Sequence, residues 1–143
     1  MTLLDTNIIS EIMRQKPDEN VLHWLNTCDT ETLFITTISI AEINYGLQIL
    51  PKGKRRTDLE IRFKHFTDEA FFERVLLFDE RSARFYGELM ATSKARGMQM
   101  TALDGQIAAI ASVYGLQLAT RNIKDFQYSG VKLINSFVYS IHT

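Results

Sequence analysis

The sequence predicts an α/β domain in which a parallel sheet is covered by helices on both faces. Three observations carry that expectation. Short apolar runs, among them Leu33-Phe34-Ile35-Thr36 and Val75-Leu76-Leu77-Phe78, lack the polar–apolar alternation of a strand with one wet face, so they read as strands buried on both sides. Helical stretches separate these runs, the order that a parallel sheet needs because its strands are joined by crossovers. The length of 143 residues fits one domain, spanning 1–143, at the usual size of roughly 100 to 200 residues.

The elements follow in order. Leu3-Leu4 opens the chain as a strand that ends at Asp5, and a helix over Asn7 to Met13 places Ile8, Ile9 and Ile12 on its apolar side. Pro17-Asp18 starts a second helix, because aspartate is a good N-cap and Val21, Trp24 and Leu25 recur at helical spacing. The strand Leu33 to Thr36 leads to a helix carrying Ile40, Ile43 and Leu47, which ends between Gly46 and Pro51. One charged helix fills Arg55 to Glu73. Val75 to Phe78 is the third strand, and Asp79 or Ser82 caps the helix of Phe85, Tyr86, Leu89 and Met90, which stops near Gly97. Leu103 to Tyr114 is an Ala-rich helix bearing Ile107, Ala108, Ile110 and Ala111. Gln117 to Thr120 and Val131 to Ile134 complete the strands.

Composition excludes several classes. Apolar residues make up 45% and charged residues 23%, close to the globular average, so disorder is excluded. The single cysteine, Cys28, cannot form an internal disulfide, and no Cys/His cluster offers a zinc site. No apolar run approaches the ~18 residues of a membrane helix. Met1 is followed by Thr2-Leu3-Leu4-Asp5 with no basic stretch, so no signal peptide is visible and a cytoplasmic protein is expected. A net charge of −1 gives no support to nucleic-acid binding. The distribution says more: Lys52, Lys54, Arg55, Arg56, Arg62 and Lys64 lie close together, either as a solvated helical face or as a phosphate-binding patch. His23, His65 and His142 are scattered and are assigned to structure. The aromatics Trp24, Phe71, Phe72, Phe85 and Tyr86 read as core or interface rather than as a platform for bases.

In parallel α/β sheets the ligand site lies beyond the carboxyl ends of the strands, and the acids gather at those junctions. Asp5 ends the first strand, and Glu42 lies in the helix after the second. Asp104 begins the helix before the fourth strand, and Asn122 and Asp125 follow that strand. Clustered carboxylates repel unless a cation binds between them or one takes a proton. Mg²⁺, with Mn²⁺ as a substitute, suits an all-oxygen set. Each residue also has a structural role open to it. Asp5, Asp104 and Asn122 are good helix caps, and Asp125 serves equally as a turn residue or ion-pair partner. Glu42 is harder to dismiss, because Ile38, Ile40, Ala41 and Ile43 surround it and a charge there needs a partner or a metal.

Four segments then carry a resemblance: Leu3-Leu4-Asp5-Thr6-Asn7-Ile8-Ile9-Ser10; Thr37-Ile38-Ser39-Ile40-Ala41-Glu42-Ile43 with Gly46; Asp104-Gly105-Gln106-Ile107-Ala108-Ala109; and Ala119-Thr120-Arg121-Asn122 with Asp125-Phe126. In this order and spacing they resemble the PIN-domain family, and within it the VapC-type toxins of bacterial toxin–antitoxin pairs, the FitB-like branch in particular. The resemblance covers almost the whole chain. It implies a three-layer α/β/α fold around a central parallel sheet of about five strands. It also implies a Mg²⁺-dependent endoribonuclease, with tRNA among the targets it admits, that hydrolyses a phosphodiester with metal-activated water. The implied partners are an antitoxin encoded nearby, a second copy in a homodimer, and DNA only indirectly through the antitoxin. By position Asp5, Glu42 and Asp104 are the acidic residues, with Asp5 and Asp104 as metal ligands and Glu42 as ligand or base. The fourth position stays open. Many relatives carry an aspartate where this chain has Asn122, and others carry asparagine there with an aspartate where this chain has Asp125. Thr6 matches a hydroxyl used near the metal, and Arg121 either holds a phosphate or pairs with an acid. Lys54, Arg55 and Arg56 are the candidate RNA contacts. The alternative is a non-catalytic PIN-like module that binds RNA or protein, although a dead site would be free to lose acids. An aspartyl-nucleophile phosphatase wants a second aspartate where Asn7 stands, and a dinucleotide fold wants a glycine fingerprint that is missing after the first strand.

Overall fold

The computed structural model describes residues 1–139, so His142 lies outside the described residues. The strands are β1 (Thr2–Leu4), β2 (Leu33–Thr36), β3 (Val75–Leu76), β4 (Gln117–Ala119) and β5 (Leu133–Ile134). The helices are α1 (Thr6–Ile12), α2 (Glu19–Thr27), α3 (Thr37–Gln48), α4 (Lys54–His65), α5 (Glu80–Ala95), α6 (Ala102–Val113) and α7 (Ile123–Phe126). All pairings are parallel, in the order β3-β2-β1-β4-β5, with Leu4 opposite Ala119 and Ile35 opposite Val75. The expected parallel sheet of five strands is therefore present.

The period of two along each strand builds the three layers. Leu4, Leu33, Ile35 and Ala119 turn to one face, where they meet Ile8 and Ile9 of α1, Val21 and Trp24 of α2, Ile43 and Leu47 of α3 and Phe63 of α4. Leu3 and Leu118 turn to the other, against Leu89 of α5, Ile107 and Ile110 of α6 and Phe126 of α7. Strands buried on both faces cannot alternate polar with apolar, which is why the runs read as continuous. No helix among the described residues is long and apolar enough to cross a membrane.

Three details differ from the sequence reading. The charged helix expected over Arg55 to Glu73 stops at His65, and a π-type turn spans Phe66–Ala70. The cause is the spacing of the aromatic residues. Phe63 and Phe66 share the inward side, and the next ring comes five residues later, at Phe71. A π turn closes that wider step: the Phe71 amide donates to the Phe66 carbonyl at 3.2 Å, and the two rings lie 4.8 Å apart. The edge strands β3 and β5 are two residues long rather than four, and α7 is a short helix that no periodicity announces. Between the two possible caps of α5 the structure chooses Asp79, whose Oδ1 accepts the Ser82 amide at 2.8 Å.

The order of the sheet fixes where a site forms. The chain runs from β1 outward through β2 to β3, then returns to add β4 on the other side of β1. The carboxyl ends of β1 and β4 therefore border the crevice where the winding reverses.

Candidate active site

Asp5 follows β1 directly and is 4% exposed. Its carboxylate is nonetheless well supplied with donors. Oδ1 accepts the Thr6 amide at 2.8 Å, so Asp5 does cap α1, as its structural reading allows. Oδ2 accepts the Thr120 hydroxyl at 2.8 Å and the Asn7 amide nitrogen at 3.1 Å. Burial outweighs these bonds and, with the charges of Asp104 and Glu42 nearby, raises the carboxyl from its usual 3.8 to about 6.

Glu42 projects from the second turn of α3, half-buried. The partner that its apolar neighbours demanded is Thr6, whose hydroxyl donates to Oε1 at 2.8 Å. With that proton committed, the 2.8 Å contact between the Thr6 and Ser39 hydroxyls has Ser39 as donor. Asp104 sits in the first turn of α6, where the helix dipole favours an anion. It does not cap that helix; Thr101 does, accepting the Asp104 amide at 3.2 Å. The Asp104 carboxylate is favoured only by the Thr101 side chain, whose hydrogen bond does not hold it at its usual value. Partial burial raises its carboxyl, and the charges of Asp125 and Glu42 add to the rise. Asp125, on α7, is exposed. Asn122 is also exposed, and its side chain makes no capping bond to α7. The structure thus brings Asp5, Glu42 and Asp104 within electrostatic reach of one another, with Asp125 within reach of Asp104.

The donor set is all oxygen, which fits a hard divalent cation. Among the described residues, however, no three acids converge tightly enough to enclose an ion by themselves. An ion held by these acids would have to complete its shell with water, as Mg²⁺ does.

The basic residues divide. Lys54 and Arg55 line a groove of about 990 Å³ between α1, α3 and α4, whose floor includes Met13, Ile43, Leu47 and Leu50. The groove begins one turn beyond the acids, at Ser10 and Gly46, four residues after Thr6 and Glu42. Arg56 is engaged elsewhere: its guanidinium donates to Glu60 at 2.6 Å and Gln48 at 2.5 Å, tying α4 to the end of α3. Arg121 is exposed with its guanidinium 4.6 Å from the centre of the Phe137 ring.

Sequence reasoning did not pick out Asn7, Ser39 or Thr120 as parts of this site. Asn7 Oδ1 accepts the Arg121 amide at 3.1 Å while its nitrogen holds Asp5, so one side chain joins the ends of β1 and β4. Thr120 is fully buried directly after an apolar strand. A polar residue in that place needs a partner, and this was the available signal.

Comparison with known proteins agrees with this architecture. The sequence model of the PIN domain family matches residues 2–128. Over 135 residues the chain is 41% identical to the VapC ribonuclease Y4jK of Sinorhizobium fredii, covering 94% of this chain and 96% of that protein. It is 36% identical over 135 residues to the toxin FitB of Neisseria gonorrhoeae, covering 94% of this chain and 97% of that protein. The solved structure of FitAB bound to an IR36 DNA fragment superposes with a TM-score of 0.92 at 34% identity, covering 100% of each chain.

Proposed function

The chain belongs to the PIN domain family, and on that premise we propose that it is the toxin of a bacterial toxin–antitoxin pair and acts as a Mg²⁺-dependent endoribonuclease. The observation that carries the activity is the meeting of Asp5, Glu42, Asp104 and Asp125 at the switch point of the sheet. The ribonuclease and toxin names of the relatives support it.

Asp5 and Asp104 would hold Mg²⁺ (or Mn²⁺), with Glu42 and Asp125 completing the acidic wall. Asp125 is the better fourth acid than Asn122, because its charge reaches Asp104. When bound, the ion activates water and offsets charge on the phosphodiester. The protein supplies position. Thr6 and Ser39 fix the Glu42 carboxylate, and Thr120 and Asn7 fix that of Asp5. No side chain here serves as a covalent nucleophile. RNA, tRNA included, approaches along Lys54 and Arg55, where phosphate contact supplies affinity that falls with salt. The Arg121 guanidinium is exposed against the Phe137 ring and is available for a further phosphate.

Restraint follows from the same geometry. The antitoxin would lay an amphipathic helix on Met13, Ile43, Leu47 and Leu50, in the groove that also presents Lys54 and Arg55. A basic side chain of that partner would reach the acids and exclude the metal. In this reading the protein is cytoplasmic and dimeric, and it meets DNA only through the antitoxin; the similar FitAB pair has been solved bound to a DNA fragment.

The deciding experiment incubates purified protein with total RNA, with and without Mg²⁺, and maps new ends. Cleavage that requires Mg²⁺ and vanishes in Asp104→Asn is expected. No new ends, or ends that persist in that variant, would reject the assignment.

A further inference from the structure

A second, smaller cavity of about 130 Å³ opens beside the acids, lined by Met98, Gln99, Met100, Lys124, Asp125 and Tyr128 together with two serines. Asp125 belongs to both places: it walls this cavity, and its charge reaches Asp104. Met100 of the lining also directly precedes Thr101, the cap of the helix turn that bears Asp104, so the cavity adjoins the acids in the chain as well.

The lining selects a class of ligand. Both serines are committed internally. Ser93 donates to the Met98 carbonyl, and Ser129 donates to the Phe126 carbonyl at 2.6 Å while accepting the Val131 amide at 3.2 Å. The side chains of Gln99, Lys124 and Tyr128 make no hydrogen bond with another described residue. Tyr128 is 49% exposed, so part of its ring is presented to solvent at the cavity. The thioethers of Met98 and Met100 add polarizable, apolar wall. Lys124 offers a phosphate one cation, but Asp125 beside it opposes an anion and the methionines cannot solvate one, so the cavity is not a dedicated phosphate site. A planar heterocycle suits it better. Its faces meet an aromatic ring and methionine sulfur, and its edge meets a Gln amide that both donates and accepts.

We propose that this cavity receives the nucleobase next to the phosphodiester held at the acids, with Tyr128 as its stacking partner and Gln99 as the group that reads its edge. The proposal rests on the ribonuclease reading and adds to it a basis for choosing where RNA is cut.

Two measurements test it, one independent of turnover. Protein carrying ¹³C-methyl methionine is titrated with each of AMP, GMP, CMP and UMP, with ribose 5-phosphate as control. The Met98 and Met100 methyl signals should shift with at least one nucleotide and not with the control. The shift should be lost in Tyr128→Ala and kept in Tyr128→Phe. In the cleavage assay, wild-type ends should show a base preference at one position beside the cut. Tyr128→Ala and Gln99→Ala should flatten that preference and raise KM about tenfold, with kcat little changed. Methionine signals that ignore all four nucleotides at millimolar concentration, or respond equally to ribose 5-phosphate, would overturn the pocket. An unchanged base preference in both variants would do the same while leaving the ribonuclease reading intact. Nucleotide-dependent shifts in a protein that cuts no RNA would reject the ribonuclease reading and retain the base site.

Discussion

Asp5 and Asp79 make a controlled pair. Each follows a strand or its extension, each caps a helix, and each accepts a backbone amide and a hydroxyl on its carboxylate, Asp5 taking the Asn7 amide nitrogen as well. Asp5 takes Thr6 and Thr120, and Asp79 takes Ser82 and Tyr114, the latter at 2.6 Å. Yet Asp5 is raised to about 6 while Asp79 is lowered to about 2. At Asp79 the hydrogen bonds act on a solvated carboxylate with Arg81 near, so they dominate. At Asp5 burial comes first, and the neighbouring charges are negative. Donors of the same kind thus stabilise one ion and only moderate the cost of the other. A cap serves the fold at Asp79; at Asp5 it also keeps a carboxylate where folding alone would not want one.

The most drastic way to break the comparison is to neutralise each acid and measure cleavage. Asp5→Asn and Asp104→Asn should each lower the rate by at least about a hundredfold, with native far-ultraviolet circular dichroism. Asp79→Asn should leave the rate unchanged. Equal losses at the two caps would mean that the difference between them has no bearing on chemistry.

Stability should respond in the opposite sense. Between pH 3.8 and about 6 the folded protein holds a proton on Asp5 that the unfolded chain has released. Stability attributable to this group therefore falls as pH rises through that window, and the full cost, about 3 kcal/mol, is present above it. Asn at position 5 removes the charge but meets the Asn7 amide with an imperfect partner. Asp5→Asn should thus raise Tm at pH 7.5 by several degrees and lose its advantage near pH 4. A Tm below wild type at both pH values would show that the carboxylate is held at no cost.

A cation should offset the same repulsion. Mg²⁺ at ten times its dissociation constant should stabilise the wild type by about 1.4 kcal/mol, and Asp104→Asn should show less of this gain. No change in wild-type Tm at millimolar Mg²⁺ would contradict a metal at these acids. The smallest effect belongs to the other cap. The lowered Asp79 carboxyl contributes stability that is present above pH 3.8 and lost as pH falls through about 2. Tyr114→Phe should give a small drop in Tm at pH 7 that fades as the pH approaches 2.

The fold was legible because its signals are local. Continuous apolar runs and helical spacing mark β1, β2, α3 and α6 within a few residues. The π turn at Phe66–Ala70 was not, since it answers to where the Phe71 ring packs and not to propensity. The candidate acids were picked out by Asp5 at the end of β1, by the apolar surroundings of Glu42 and by family resemblance. Their supports were less legible. Ser39, Asn7 and Thr120 are ordinary polar residues until the fold brings β4 beside β1 and α3 beside α1. Arg56 shows the reverse case: in the sequence it is one of a basic trio, while in the structure its guanidinium is held by Glu60 and Gln48.

The bond from Thr120 to Asp5 joins residues 115 positions apart, and Asn7 reaches equally far to the Arg121 amide, with a separation of 114. Contacts of such separation form last during synthesis, because the ribosome delivers the chain from its amino end. A nascent chain that has reached only Gln99 owns Asp5 and Glu42 but neither Asp104 nor Asp125, and it has no β4 to complete the crevice. On the ribonuclease function proposed above, the chain cannot assemble its acids until nearly all of it has emerged.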